Sequence, residues 1–387
     1  MAAMSIGTGV LLVSAVAALG PRHYWQTLRD GWQGPVLKMY AILAAALAGA
    51  CLLSLVVARF APLEFAGYAV QVSFGRDMAK AWYLFWPLIL TPCLAVVSER
   101  TRETVLRTWL AAFFVLSLIG IQQYFTGWPR PQPIPGNEPY FHATLFLGHH
   151  LSVASVLIFP FFTSLAFAVT PKKSAPLGWP RPIWILASVA GAACLFLTFS
   201  RNLWGALPVG IALVFLLNLS KKGRFAMLGG LGVLIGAVAL VPSIQTRALA
   251  SIGITDRVEL WKANFEFLRL RPLTGTGWHH NLELAAAYFQ SKTPGQSGFV
   301  GHAHNNVLEV LGSTGLLGFA AWVAWNLWIL RRAWSLRTQA WACGVFCALI
   351  VLQLNGLTQV NFWESKVLHQ LMWVASWLMI PKQPLKS

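Results

Sequence analysis

The chain has 387 residues, 57% of them hydrophobic and only 11% charged, yet it carries a net charge of +17. Soluble domains usually hold about 25% charged residues, so this composition excludes an ordinary water-soluble enzyme and points to lipid. The positive excess fits membrane orientation better than affinity for nucleic acid.

A crossing needs about 20 apolar residues. Segments of that kind lie at 4–19, 36–58, 81–98, 104–121, 147–170, 182–200, 202–219, 225–242, 304–330, 339–357 and 362–380. Eleven spans are therefore predicted, and a further helix within 60–80 would make twelve. Each must be helical, because unpaired backbone groups in hydrocarbon cost several kcal/mol apiece. The expected fold class is an all-α polytopic integral membrane protein, with 1–387 as a single transmembrane domain. The first apolar run has no basic region before it and no clear cleavage site, which argues against a removable signal peptide. Cys51, Cys93, Cys194, Cys343 and Cys347 all fall inside spans, so no disulfide is expected.

Basic clusters recur at alternate loops: around 22–38, 100–107, 172–181, 221–224, 331–337 and 382–386. They hold 17 of the 29 Lys and Arg residues but only three of the 12 acids. By the positive-inside rule these loops are cytoplasmic. The opposite loops, chiefly 122–146 and 243–303 beside a shorter one at 59–80, are then on the outer side. The first is rich in proline, which suits an irregular cover. The second contains amphipathic stretches that predict short surface helices. Seven of the nine histidines lie at or beside these outer loops: His142, His149, His150, His279, His280, His302 and His304.

Three places on that side carry candidate chemistry. Arg201, in LTFSRNLWGA, sits between two apolar runs with almost no loop. It is either an arginine snorkelling from a helix end or a rigidly held anion-binding guanidinium. Arg257 and Trp261 are four apart in TDRVELWKANFEF and share one face of a predicted surface helix; a solvated arginine is the plainer reading. Thr255 or Asp256 is expected to cap its start. His304 stands at the mouth of the apolar run at 304–330. Histidine can be neutral at physiological pH and can accept a hydroxyl proton, which arginine cannot. Asn305 and Asn306 are placed to orient it or to bind a polar ligand, and His302 lies two residues earlier. Glu309, an acid inside an apolar run, should be paired or protonated, since a buried charge is costly. Gly312, Gly315 and Gly318 read as a small-residue face for another helix. No outer loop contains an acidic pair of the D-x-D type and no H-x-x-x-H spacing occurs. No metal site or cofactor is therefore expected.

These elements resemble a known family. His304-Asn305, nine residues, then Gly315-Leu-Leu-Gly318 reproduces the H-[NSQ]-x9-G-x-x-G pattern of the O-antigen ligase family. Its wider superfamily includes O-antigen polymerases and protein-O-oligosaccharyltransferases. Ser200-Arg201, the R-x-x-x-W run at Arg257–Trp261 and P-L-x-G-x-G at 272–277 look like its other recurring elements. The resemblance covers roughly 190–320. It implies a metal-independent, inverting glycosyltransferase in the Gram-negative inner membrane, working at the periplasmic face. The donor would be an undecaprenyl-diphosphate-linked O-antigen and the acceptor lipid A–core. In that scheme His304 deprotonates the acceptor hydroxyl, while Arg201 and Arg257 hold the diphosphate. An O-antigen polymerase is the alternative within the superfamily. A lipid-linked saccharide transporter or scaffold is the alternative of another class; it would use the arginines without needing His304.

Overall fold

Apolar patterning translates directly into helices. The computed structural model describes residues 20, 22, 26, 29, 34–65, 67–170, 176–240, 254–292 and 301–380. The predicted span at 4–19, the segments 241–253 and 293–300, and Lys172, Lys173, Lys382 and Lys386 lie outside them. The helices are α1 (Pro35–Phe60), α2 (Trp86–Val96), α3 (Glu99–Thr126), α4 (His150–Val169), α5 (Arg181–Leu197) and α6 (Arg201–Asn218). They continue with α7 (Lys221–Ala239), α8 (Ile254–Leu270), α9 (Asn281–Lys292), α10 (Asn306–Ser335), α11 (Ala340–Gly356) and α12 (Ser365–Leu378). The protein is thus an all-α, multi-pass membrane protein, and each predicted span among the described residues contains a helix.

Among the described residues, six helical segments are long and apolar enough to cross a membrane: Pro35–Phe60, Phe74–Val96, Glu99–Thr126, His150–Val169, Arg201–Asn218 and Asn306–Ser335. These six are counted among the described residues, whereas the 11–12 expected spans include the one at 4–19, which lies outside them. Two further apolar helices, α5 and α11, have 17 residues each, and at 1.5 Å per residue they reach about 25 Å, short of a hydrocarbon core of about 30 Å. The predicted outer loop 59–80 is partly structured. A two-residue hairpin pairs β1 (Glu64–Phe65) with β2 (Tyr68–Ala69). A helical turn, Phe74–Asp77, then runs through a 3-10 helix, Met78–Phe85, into α2. The loop expected at 122–146 starts later, because α3 continues to Thr126. The long loop does carry two helices, α8 and α9, as its amphipathic pattern predicted.

The chain forms two compact units. One comprises Met1–Ser98, Ile252–Arg331 and Gly356–Ser387; the other comprises Glu99–Ser251 and Arg332–Asn355. In the first unit, Leu260, Ala263 and Phe267 lie on one face of α8 and pack with Ala58 of α1, Val70, and Leu284, Ala285 and Phe289 of α9. Buried polar groups are tied across the same unit. The Tyr40 hydroxyl donates to the Leu84 carbonyl at 2.6 Å, and Thr91 Oγ1 donates to the Ser376 carbonyl at 3.0 Å. In the second unit, α5 packs against α3 and α4, and α6 against α4 and α7.

The feature of the first unit that matters most for function is a break in α10. Gly315 has φ 64° and ψ −166°, a conformation essentially reserved for glycine. The helix therefore exposes backbone groups on both sides of it. Residues 272–277 satisfy them. Thr276 and Gly277 N–H donate to the Gly312 and Ser313 carbonyls at 3.0 and 3.1 Å, while Leu316 and Leu317 N–H donate to the Pro272 and Leu273 carbonyls at 2.8 and 3.2 Å. At Gly315 the glycine thus serves an extended segment and not the approaching helix that the sequence suggested; only Gly312 meets side chains of other helices, α8 and α9. A Cβ at Gly315 would run into the Leu273 carbonyl, and one at Gly275 into the Ser313–Thr314 backbone. At Gly312 the neighbours are the Asn264 and Asn281 side chains, and at Gly318 the side chain of Thr314.

Candidate active site

The site grows from the joint between residues 301–305 and the start of α10. Asn305 caps the helix: its Oδ1 accepts the N–H groups of Val307 and Leu308 at 2.8 and 3.1 Å, satisfying donors that a helix start otherwise leaves open. Its Nδ2 donates to the Leu357 carbonyl at 2.8 Å. Asn306, 3% exposed, grips the same stretch. Its Nδ2 donates to Asn361 Oδ1 at 2.7 Å, and its Oδ1 accepts the N–H groups of Asn361 and Phe362 at 3.0 and 3.3 Å. Both asparagines are therefore committed to protein partners. They bind the turn 357–362 to the start of α10.

Glu309 is 3% exposed and paired, one of the two outcomes its position predicted. Its Oε2 accepts the Ala303 N–H at 2.9 Å, and its Oε1 lies 3.7 Å from His302 Nδ1. Standing in the first turn of α10, its negative charge also faces the favourable end of the helix dipole. The Glu309 carboxylate holds His302 above the ordinary histidine range. Trp261 closes the other side: its indole N–H donates to the Ala303 carbonyl at 2.8 Å. Residue 303 is thus held at both its N–H and its carbonyl, which fixes the approach to His304.

His304 itself has φ 47°, in the left-handed region that costs most residues energy but in which histidine is enriched. Its Nδ1 lies 3.3 Å from Gln359 Oε1, and the side chain is half-buried. Burial pushes its pKa down; the Gln359 contact opposes the shift, and the positive charge of Arg257 adds to it. Arg257 lies one turn before Trp261 on α8 and is half-buried, so its guanidinium and the imidazole share one field. A base near a fixed cation is an arrangement that can take a proton from a hydroxyl while an anionic group is held beside it. The predicted caps of α8, Thr255 and Asp256, have side chains outside the described set.

Two neighbours were not foreseen. Gln359, 55 residues from His304, belongs to no recognisable motif. Lys80 of the 3-10 helix is half-buried, and its charge acts on both His279 and His302. Only its place within a mostly apolar segment (MAKAWYLFWPLIL) marked it. His279, half-buried beside Trp278 with ring centroids 4.6 Å apart, is driven by desolvation down to about 3, so it stays neutral. His280 is instead a structural tie, with Nε2 3.1 Å from Asp77 Oδ2 and Nδ1 3.0 Å from Glu283 Oε2. Among the described residues, no three His, Cys, Asp or Glu side chains group as metal ligands.

Arg201 belongs to the second unit. It opens α6 directly after Ser200, and the break from α5 runs through Phe199 at φ 54°. The proline-rich loop is fastened to this break: Ala143 N–H donates to the Leu197 carbonyl at 3.0 Å, and His142 Nδ1 lies 3.0 Å from the Thr198 carbonyl. Gln123 organises the loop from inside. Its Oε1 accepts the N–H groups of Thr144 and Leu145, and its Nε2 donates to the Arg130 carbonyl. Arg201 is thus held at a fixed corner, half-buried.

Residues 186–323 match a family model described as O-Antigen ligase. That segment includes Arg201, Arg257, Trp261, the 272–277 joint and His304 through Gly318. No curated protein matches the chain.

Proposed function

We propose, from the match of residues 186–323 to a family model described as O-Antigen ligase, that this multi-pass chain is an O-antigen ligase of the Gram-negative inner membrane. It would move O-antigen polysaccharide from undecaprenyl diphosphate to a sugar hydroxyl of lipid A–core at the periplasmic face. The observation that carries this reading is His304, a half-buried imidazole of lowered pKa with the Arg257 charge beside it, within the matched segment.

In the proposed reaction the acceptor oxygen attacks the anomeric carbon while His304 takes its proton. The bond from that carbon to the diphosphate breaks, and negative charge collects on the leaving phosphate. A guanidinium fork is suited to that charge, and such stabilisation is commonly the largest contribution to catalysis. Arg257 is assigned that task, and Arg201 is assigned to donor phosphate on its chemistry and its place in the family pattern. No carboxylate is assigned as a nucleophile, so the proposed reaction is a single displacement with inversion; metal independence is what the family resemblance implies. The test is lipopolysaccharide banding in a ligase-deleted strain carrying this gene. Restored long-chain lipopolysaccharide supports the ligase. Restored chain length only in a polymerase-deleted strain would assign the protein to the polymerases instead.

A further inference from the structure

We infer that Gln359 is the positioning residue of His304, holding its imidazole in the Nδ1–H form so that Nε2 is the proton-accepting nitrogen. The inference rests on the reading of His304 as the base. It begins with the Gln359 amide, whose Nε2 donates to the Val360 carbonyl at 3.4 Å. That bond turns Oε1 toward His304 Nδ1, 3.3 Å away. An amide oxygen only accepts, so Nδ1 must carry the proton, and in a neutral imidazole the other nitrogen then keeps its lone pair. Nε2 faces Gly301, where an added Cβ would stand 3.8 Å from it and 3.1 Å from Leu260 Cδ1; glycine keeps a side chain off that nitrogen.

The two asparagines now acquire a purpose. Asn305 holds Leu357 and Asn306 holds Asn361 and Phe362, so residue 359 is presented from a turn clamped on both sides. The histidine and its partner are thereby fixed to one helix start. The choice of an amide matters chemically. A carboxylate at this place would favour the imidazolium and raise the pKa, whereas a neutral amide fixes the tautomer and adds no charge. The other charges facing His304 are Arg257 on α8, His302 on the adjoining loop and Glu309 on α10, with Lys80 acting on His302. None of these dictates which ring nitrogen is protonated.

The test is ¹⁵N-histidine NMR of the full-length protein in detergent micelles, with His304→Asn used to assign the resonance. Wild type near neutral pH should show Nδ1 protonated and Nε2 bare. Gln359→Leu should give a mixture of tautomers and a lower pKa. Gln359→Glu, of equal size, should raise the pKa of His304. Transfer measured in vesicles holding undecaprenyl-diphosphate-linked polysaccharide and lipid A–core should follow: at least a tenfold loss in Gln359→Leu, and an acidic limb moved to higher pH in Gln359→Glu. An Nε2–H imidazole in wild type, or both variants titrating as wild type does, would overturn the inference. Bare Nε2 in a wild-type protein that transfers nothing would leave the pairing standing and sink the proposed function instead.

Discussion

His304, Arg257 and Arg201 make separable predictions. General-base catalysis contributes about 10²–10⁴-fold, so His304→Ala should lower transfer by that much while donor binding survives. His302→Ala should cost far less, since its imidazole answers to Glu309. The pH profile follows from the sign of the shift. A base works only when neutral, and burial holds His304 below the ordinary histidine value, about 6.5. Transfer should therefore persist below that value and decline as the pH falls through the lowered pKa. Arg257 opposes protonation of His304, so Arg257→Gln should move the acidic limb upward as well as weaken the donor interaction. Lysine at 257 should restore the limb more fully than the binding, because it supplies charge without the planar fork. Arg201→Ala should lose transfer with the protein still in the membrane and with the His304 titration unaltered. Normal transfer in that variant would return Arg201 to a snorkelling role.

At the scale of elements, the break in α10 sets the stability of the site. Gly315→Ala must place a Cβ against the Leu273 carbonyl at a φ that alanine resists. Such strain costs about 1–3 kcal/mol before any displacement of residues 272–277, so a clear fall in Tm in detergent is expected. Asn306→Ala leaves two buried N–H groups, those of Asn361 and Phe362, without their acceptor, at about 1–3 kcal/mol each. Its Tm should fall, and its activity should fall with the loosened Gln359 turn. Sequence periodicity found the helices well, because twenty apolar residues have few alternatives in lipid. It missed the break, because glycines three apart look alike whether they admit a helix or an extended segment. Only the partner decides, and residues 272–277 lie some forty positions away. Gln359 was hidden for the same reason: its role is created by the clamp of Asn305 and Asn306 across 52–56 residues. His304, Arg257 and Trp261 were legible because their spacings, nine residues and four, are local.

For the molecule as a whole, the prediction concerns sides. The five cysteines are buried, so an introduced thiol should report with little background. Cysteines replacing Asn137 and Gln290 should react with an impermeant reagent applied to the outer face, while those replacing Lys222 and Ser335 should not. The reverse pattern would place His304 on the cytoplasmic side and end the proposed reaction. The spacing between His304 and the α10 break has a further meaning. Asn305 caps the helix and Gly315 ends its first part, so the nine residues between them act as a ruler. Each inserted residue would turn one end against the other by about 100° and lengthen the interval by about 1.5 Å. The interval can therefore change its letters more readily than their number, and a single-residue insertion there should be more damaging than any single substitution within it.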